Sequence, residues 1–540
     1  MRGIESRGDG IEAHPSPAVA TSPLPKFSVY QLHEVAPSIT RESCNGRAPP
    51  PTFGELNFGT AELGNCSRTN RLVQLADLIL EHPQGSLPDK LPRPKDLKAF
   101  YRLVAIPRVT HSSVLAPHQK LTRRRMADDG GTILLLHDGT ELNYSGLHSV
   151  AGLGHIAGGK ARGLLCHNSL AVAADGRRVL GLANQILHRR PRVPKGESRE
   201  DKCDREDRES LLWQQACQAT GPAPAGQLHV DVCDRGADIF EFLESEYRTG
   251  RSYVVRATHN RAVEVVDPAT KEVLDPETPA GRLFDLAGSL PEWTRKTVRV
   301  SARGSYPERE AVVAMAAAPI QVQAPRRARG SHGKEPLAVW VVCVREVDPP
   351  LGREPVEWVL LTNVPIDTVA DLVERVEWYE ARWIVEELHK GQKTGCSIED
   401  LQLGKQNHDE RGKPAMKDRL GPAIALLSVV AVQLLILRDL GRDAKNGEKP
   451  ATEWFSQQEQ EVLAGWHYGE SHREMTMAEF CRALAMLGGH QGRKGDGPPG
   501  WQTLWRGWQK LQLMVKGARA AQARGKAPAG RGTMDDPASG

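Results

Sequence analysis

The sequence predicts a mixed α/β fold, with a helical module before it and a helical region after it. Three observations carry that prediction. Short apolar runs and period-two alternation dominate residues 132–365, which is strand patterning. An apolar stripe at helical spacing precedes them at Leu72–Leu80, and from about Val369 to Val515 the pattern is mostly helical. At 540 residues the chain has room for three or four domains of ~150 residues and needs no disulfide to hold a core. Its 39% hydrophobic and 26% charged content is that of a globular protein and excludes a disordered, coiled-coil or fibrous chain. The 71 basic and 67 acidic side chains leave a net charge of +4. That balance neither requires nor opposes a nucleic-acid partner, so any basic surface must be local.

Each element follows in order. Residues 1–52 are rich in Pro, Ser and Gly and read as a disordered extension. Residues 53–105 read as a small basic helical module. Its helix at Leu72–Leu80 is stopped by Pro83 and flanked by Arg68, Arg71, Lys90, Arg93, Lys95, Lys98 and Arg102. Those charges suit a solvated surface as well as a DNA-binding one. Residues 106–250 read as the first part of a core. Ile133–Leu136 is a strand ending at His137-Asp138, and Leu170–Ala173 and Val179–Leu182 form a hairpin around Asp175-Gly176. Leu211–Ala219 suits a helix, Gln227–Cys233 alternates and stops at Asp234, and Ala237–Glu246 suits another helix. Asp128-Asp129-Gly130 reads as a plain turn, and Asp238 as a surface residue in a helix's first turn.

Residues 251–365 are again strand-like, separated by basic loops such as Arg326–Gly330. Residues 366–408 hold a long helix from about Val369 past Lys390, and 409–516 a helical region. The apolar run Gly421–Leu437 contains Ser428 and Gln433. It falls short of the ~20 residues of a membrane span and reads as a buried core helix, with no membrane partner. Residues 517–540, rich in Ala, Gly and Arg, read as a disordered tail. The nine cysteines (44, 66, 166, 203, 217, 233, 343, 396 and 481) include no C-x-x-C pair. This disfavours a zinc or disulfide framework and points to a reducing cytoplasm.

Asp138 and Asp234 each follow an apolar strand. If those strands are neighbours, two carboxylates meet at one sheet edge, as hard divalent metals require. Two such metals can clamp the attacking and leaving oxygens of a phosphodiester. A third carboxylate lies in the long helix. At ~100° per residue, Tyr379, Arg382, Glu386 and Lys393 share a stripe about 60° wide, while Glu387 lies about 100° round from Glu386. An ordinary surface helix with an Arg382–Glu386 pair would show the same spacing. Lys and Arg beside one carboxylate also suit phosphate chemistry.

The spacing Tyr379-x-x-Arg382-x-x-x-Glu386-x-x-x-x-x-x-Lys393 resembles the Tyr-Arg-Glu-Lys signature of bacterial insertion-sequence transposases with an Asp-Asp-Glu site, the IS-four group that includes the Tn-five transposase. His137-Asp138-Gly139-Thr140-Glu141-Leu142 and Cys233-Asp234-Arg235-Gly236-Ala237-Asp238-Ile239 resemble its two aspartate motifs. Ala61–Asn65, Lys98–Arg102, His389-Lys390, Leu487–Lys494 and Trp505–Trp508 also fit. The resemblance spans about 53–515. It implies an RNase H-like core with a β-rich insertion at 251–365, in agreement with the strand order above. It implies Asp138, Asp234 and Glu386 as catalytic residues and metal ligands, for Mg²⁺ with Mn²⁺ as substitute. Tyr379, Arg382, Lys390, Lys393 and Arg256 would contact DNA, and Trp358 would pack against a base flipped from the transposon end. For Arg256 and Trp358, a solvated strand end and a core aromatic are the plain alternatives. The implied activity is cut-and-paste transposition by a homodimer acting on inverted repeats and target DNA in the cytoplasm. An inactive transposase-derived DNA-binding regulator is the alternative. Gly139, Gly236 and Asn65 stand where Thr, Glu and Asp are usual, and none of these changes removes a metal ligand.

Overall fold

The structure is a computed structural model. It describes residues 51–525 apart from 148–151, 192–195, 199–200, 202–203, 276–280, 301–306, 326–331, 404–416, 443–446 and 494–495. The expected extension before Pro51, the Arg326–Gly330 loop and the tail beyond 525 lie outside the described residues.

Five helices open the fold: α1 (Phe53–Phe58), α2 (Cys66–Glu81), α3 (Leu87–Lys90), α4 (Pro94–Val104) and α5 (His111–Asp129). Asn65 caps α2 by accepting the Arg68 N–H at 3.0 Å, a role Asn fills as well as Asp. Helix α5 has no counterpart in the sequence analysis. It carries Pro117 internally and only a weak apolar stripe, so periodicity missed it. Asp128 and Asp129 are its last residues and Gly130 its left-handed cap, at φ 71°. They are therefore a helix end, with Asp129 paired to Arg178. Lys90, expected on the basic flank, is buried and donates to the Gly85 carbonyl. Burial lowers its pKa to about 8. Arg71, Arg93, Lys95, Lys98 and Arg102 are exposed.

The strands are β1 (Ile133–Asn143), β2 (Gly154–Ile156), β3 (Ala161–Ala173) and β4 (Val179–His188), then β5 (His229–Cys233) after helix α6 (Leu212–Thr220). Helix α7 (Phe240–Arg248) leads to β6 (Ser252–Arg256), β7 (Ala262–Val265) and β8 (Gly281–Arg282). Helix α8 (Leu283–Ser289) precedes β9 (Thr294–Val300), β10 (Arg309–Val322), β11 (Leu337–Glu346) and β12 (Glu357–Thr362). All twelve belong to one sheet, in the order β2-β3-β1-β5-β6-β12-β11-β10-β7-β8, with β4 on β3 and β9 on β10. The strands of 251–365 therefore extend the sheet that carries β1 and β5. The β3–β4 hairpin turns through Gly176 at φ 67°, a backbone state that glycine adopts without strain.

Helix α9 (Val369–Ala381) and helix α10 (Trp383–Lys390) follow, then a π-helical turn, Gly391–Gly395. The expected single helix is thus interrupted at Arg382 and underwound after Lys390. Thr368 and Asp371 form the capping box that starts α9. The apolar run is the centre of α11 (Lys417–Leu440). Of its apolar window 89% is buried inside the protein, as a core helix requires. Helices α12 (Gln457–Tyr468), α13 (Met477–Leu487) and α14 (Trp501–Gly525) complete the chain. Residues 517–525, expected to be disordered, continue α14.

From Pro51 on the chain forms one compact unit. Phe58, Leu75 and Phe100 of the N-terminal helices share one apolar cluster with Leu426 of α11 and Leu504 of α14. Trp508 Nε1 also donates to the Leu80 carbonyl at 3.3 Å. The N-terminal module is therefore not a bead that could be removed without opening the core. Helices α13 and α14 cross with their backbones in contact. A Cβ built on Gly507 would lie 1.9 Å from the Leu484 carbonyl oxygen, and one on Gly488 1.9 Å from that of Thr503.

Gly507→Ala tests that crossing by its sign. In an open helix the change stabilises by about 1 kcal/mol. Here the methyl must push two backbones apart, and overpacking costs about 1–3 kcal/mol. Denaturant unfolding should show net destabilisation, and a gain in stability would refute the close crossing.

Candidate active site

The β1–β5 ladder is parallel and ends at the pair His137–Cys233. The next residues, Asp138 and Asp234, therefore leave the two strands side by side. The sequence analysis ended β1 at this point, but β1 runs on to Asn143 because β3 pairs with it along its full length, to Asn143–Gly163. Asp138 marks where the parallel neighbour departs while the strand continues. Its Oδ1 accepts the Gly139 N–H at 2.8 Å, and Asp234 Oδ1 accepts the Gly236 N–H at 2.9 Å.

Helix α10 brings in the third carboxylate. The Arg382 guanidinium donates through Nη1 to Asp138 Oδ2 at 3.0 Å and through Nη2 to Glu386 Oε1 at 2.9 Å. Glu387 turns away and pairs with Arg438 of α11, so Glu386 is the glutamate that shares Arg382 with Asp138. Burial pushes the Asp138 carboxyl up to about 6. Arg382 pulls it down, while Asp234 and Glu386 push it further up. Three carboxylates thus converge and feel one another.

Tyr379 is buried, with the Arg382 guanidinium 6.0 Å from its ring centroid. Burial raises its pKa, and the nearby Arg382 and Arg256 oppose the rise. Arg256 donates through Nη2 to the Glu357 carbonyl at 2.8 Å, which ties it to the strand of Trp358. Trp358 is half-buried and meets Tyr379 edge-on, with centroids 5.3 Å apart. It packs against the main apolar core while remaining partly exposed. Tyr379, Arg382, Arg256 and Trp358 therefore form one cluster beside the carboxylates. Lys393 leaves the stripe, because ~100° per residue does not hold through a π-helical turn. It stands 3.8 Å from Glu399 instead. Lys390 is exposed.

Two other groups had a different fate from the one expected. Asp238 is buried, takes the N–H groups of Thr258 and His259 at 2.6 and 2.8 Å, and pairs with Arg261. It anchors the loop after β6, because the chain makes a 3-10 turn at Arg235–Ala237 before α7 begins. Trp213 of α6 was not singled out at all. A Cβ on Gly236 would lie 2.4 Å from its ring, and its edge contacts His167 at 5.1 Å between centroids. The indole fills the space beside Asp234 that a Glu at 236 would need. The Gly236 departure was its only signal in the sequence.

Among the described residues, His137, Cys217 and Asp231 form a separate group of possible ligands. His137 Nε2 lies 2.8 Å from Asp231 Oδ1, and Nδ1 lies 3.0 Å from Ser169 Oγ. Arg251 donates to both Asp231 oxygens, at 2.8 and 3.0 Å. Arg251 is the counter-charge of this network and also lies 3.3 Å from the buried Glu246 carboxylate. The Asp138–Asp234–Glu386 set differs. Its donors are all hard oxygens, and the Asp138 carboxyl is raised first by burial and then by its acidic neighbours Asp234 and Glu386, against the pull of Arg382.

Asp138 titrates in the reverse sense to a salt-bridged acid. Its folded value of about 6 lies above the ~3.9 of an unfolded chain. The cost of ionising it is therefore fully present above about pH 6 and disappears below about pH 4. Metal-free protein should gain stability from this group as pH falls through that window, and divalent cations should bind more weakly. Carboxyl NMR of wild type and Arg382→Gln checks the cause. Loss of the guanidinium should raise the Asp138 value further, and a wild-type value near 4 would contradict the geometry.

Two family models match the chain. The transposase DNA-binding family matches residues 52–109, and the transposase Tn5 dimerisation domain matches residues 468–528. The first covers α1–α4, where the exposed basic side chains lie, and the second covers α13 and α14 with their glycine crossing. The two matches flank the sheet, so at both ends the chain is similar to Tn5-like transposases.

Proposed function

We propose that the protein is a cut-and-paste DNA transposase with an RNase H-like core, and that Asp138, Asp234 and Glu386 are its catalytic carboxylates. The observation that carries this reading is the convergence of Asp138 and Glu386 on Arg382, with Asp234 alongside, in a chain flanked by transposase DNA-binding and dimerisation domains. The antiparallel β4-β3-β1 strands followed by parallel β5 and β6 support the core assignment.

The three carboxylates would hold Mg²⁺, or Mn²⁺ in its place. Bound there, such ions lower the pKa of water and offset charge developing on a phosphodiester. The chain's own residues orient the strand. Arg382 can exchange a carboxylate oxygen for a phosphate oxygen, since a guanidinium matches both geometries. Lys390 and Lys393 would add positive charge on the segment that follows Glu386, and Arg256 would hold Tyr379 and Trp358 at the edge of the site. Hydrolysis at the element end frees a 3′-OH. That hydroxyl attacks the opposite strand and leaves a hairpin, water opens the hairpin, and the 3′-OH attacks target DNA. Each step is an in-line displacement at phosphorus without a covalent enzyme intermediate. Two protomers would pair two inverted-repeat ends, with the C-terminal helices as the contact, in the bacterial cytoplasm.

Asp138→Ala, Asp234→Ala and Glu386→Ala should each reduce Mg²⁺-dependent cleavage of a labelled element end by more than about 10²-fold. Binding of that end in a gel shift should change little. Any variant that still cleaves at near the wild-type rate removes its residue from the site.

Trp358→Ala should slow hairpin formation more than the first nick, because a hairpin bend unstacks a base and an aromatic platform offsets about 1–3 kcal/mol of that cost. Trp358→Phe should do less harm. Parallel loss of both steps together with a lowered melting temperature would assign Trp358 to packing against Tyr379 alone.

A further inference from the structure

Between the sheet and the Glu386 helix lies a buried set of amides and a hydroxyl that the carboxylates do not use. Asn168 stands opposite Asp138 in the β1–β3 ladder, and Gln185 stands opposite Asn168 in the β3–β4 ladder. Directly opposed residues share a face, so Asp138, Asn168 and Gln185 form a row across three strands. Gln392 enters from the π-helical turn that ends the Glu386 helix, and Ser428 from α11. Gln185 Nε2 donates to Asn168 Oδ1 at 2.7 Å and to Ser428 Oγ at 2.9 Å. Gln392 Nε2 donates to the same Ser428 Oγ at 2.9 Å, and Asn168 Nδ2 donates to Gln392 Oε1 at 3.3 Å. His111 Nε2 closes the set on Gln185 Oε1 at 2.9 Å. Asn168, Gln392 and Ser428 are fully buried, and Gln185 is nearly so.

Apolar side chains would fill this space at less desolvation cost, so the network needs another reason to be there. A satisfied polar network admits one arrangement of its members, whereas an apolar contact can slide. Here the members belong to the strand beside Asp138, to the turn after Glu386 and to the central helix. Like charges brought together in the site push the helix and the sheet apart. Arg382 restrains them only while it is not engaged by phosphate. A π-helical turn inside a helical run is itself a feature concentrated at functional sites.

We propose that Asn168, Gln185, Gln392 and Ser428 are positioning residues that lock the Glu386 helix to the Asp138 strand and so set the spacing of the carboxylates. This rests on the assignment of those carboxylates as the active site.

The test uses full-length protein carrying Gln392→Leu or Ser428→Ala. Mn²⁺ binding is followed by electron paramagnetic resonance without DNA, cleavage of an element end is measured in Mg²⁺ and in Mn²⁺, and a melt is recorded for each variant. Loss of a group that orients a ligand weakens metal binding by about 10–100-fold. Both variants should therefore bind Mn²⁺ at least about tenfold more weakly. They should also lose more cleavage in Mg²⁺ than in Mn²⁺, because Mg²⁺ demands near-ideal octahedral geometry. Wild-type Mn²⁺ affinity in both variants, with only a lowered melting temperature, would overturn the proposal and leave a purely structural network. Should Gln392→Leu fail to fold, the smaller Ser428→Ala change decides alone. A wild-type protein that neither binds Mn²⁺ nor cleaves would sink the active-site assignment beneath the proposal.

Discussion

The guanidinium of Arg382, held between Asp138 and Glu386, is the contact on which the rest of the site depends. Two like charges about 4 Å apart repel by about 4 kcal/mol at the effective dielectric of a protein surface. A strand and a helix that both present carboxylates at one place repel unless a cation lies between them. Arg382 bonds two of the three acids. The Asp138 carboxyl is held up to about 6, first by burial and then by its two acidic neighbours. An arrangement made only of oxygen donors is suited to taking up a hard divalent metal.

The rest of the architecture holds that edge in place. One sheet carries both aspartates on adjacent parallel strands and extends without a break through β12, the strand that feeds the Glu386 helix. The helix is braced on its far side by Glu387 and Arg438, and beneath it by Gln392 and Ser428. Gly85 of the N-terminal helices bonds to the Ser397 hydroxyl just beyond the π-helical turn, at 3.1 Å, and Trp508 of the C-terminal helix bonds back to Leu80. The N-terminal and C-terminal helical regions are thus bonded to each other, and the first is bonded to the segment just beyond the π-helical turn.

Much of this was legible in the sequence. The apolar run before His137-Asp138 and the alternation before Cys233-Asp234 marked both segments as strands, but only the sheet register makes them neighbours. The helical wheel separated Glu386 from Glu387, because helical angles accumulate little error over a few residues. The same count misplaced Lys393, since a π-helical turn changes the angle and leaves no mark in composition. Helix α5 was invisible because Pro117 and a weak stripe hide a helix stabilised by tertiary contacts. Lys90 and Asp238 were read as surface charges because composition does not reveal the Gly85 carbonyl that receives Lys90 or the Thr258–Arg261 loop that receives Asp238. The network of Asn168, Gln185, Gln392 and Ser428 could not be seen, since its members are joined by ladder register and helix docking. Ser428 inside an apolar run was its one local trace.

The central claim is that Asp138, Asp234 and Glu386 together cut DNA at a defined element end. The most direct measurement is incubation of the purified protein with Mg²⁺ and the DNA that flanks its own gene, with the cleavage products mapped to the nucleotide. The account predicts cuts at the outer boundary of paired inverted repeats, accompanied by hairpin ends, and no cutting without a divalent cation. Tight binding of the same DNA with no strand cleavage in Mg²⁺ or Mn²⁺ would contradict it and mark the protein as a transposase-derived DNA-binding regulator.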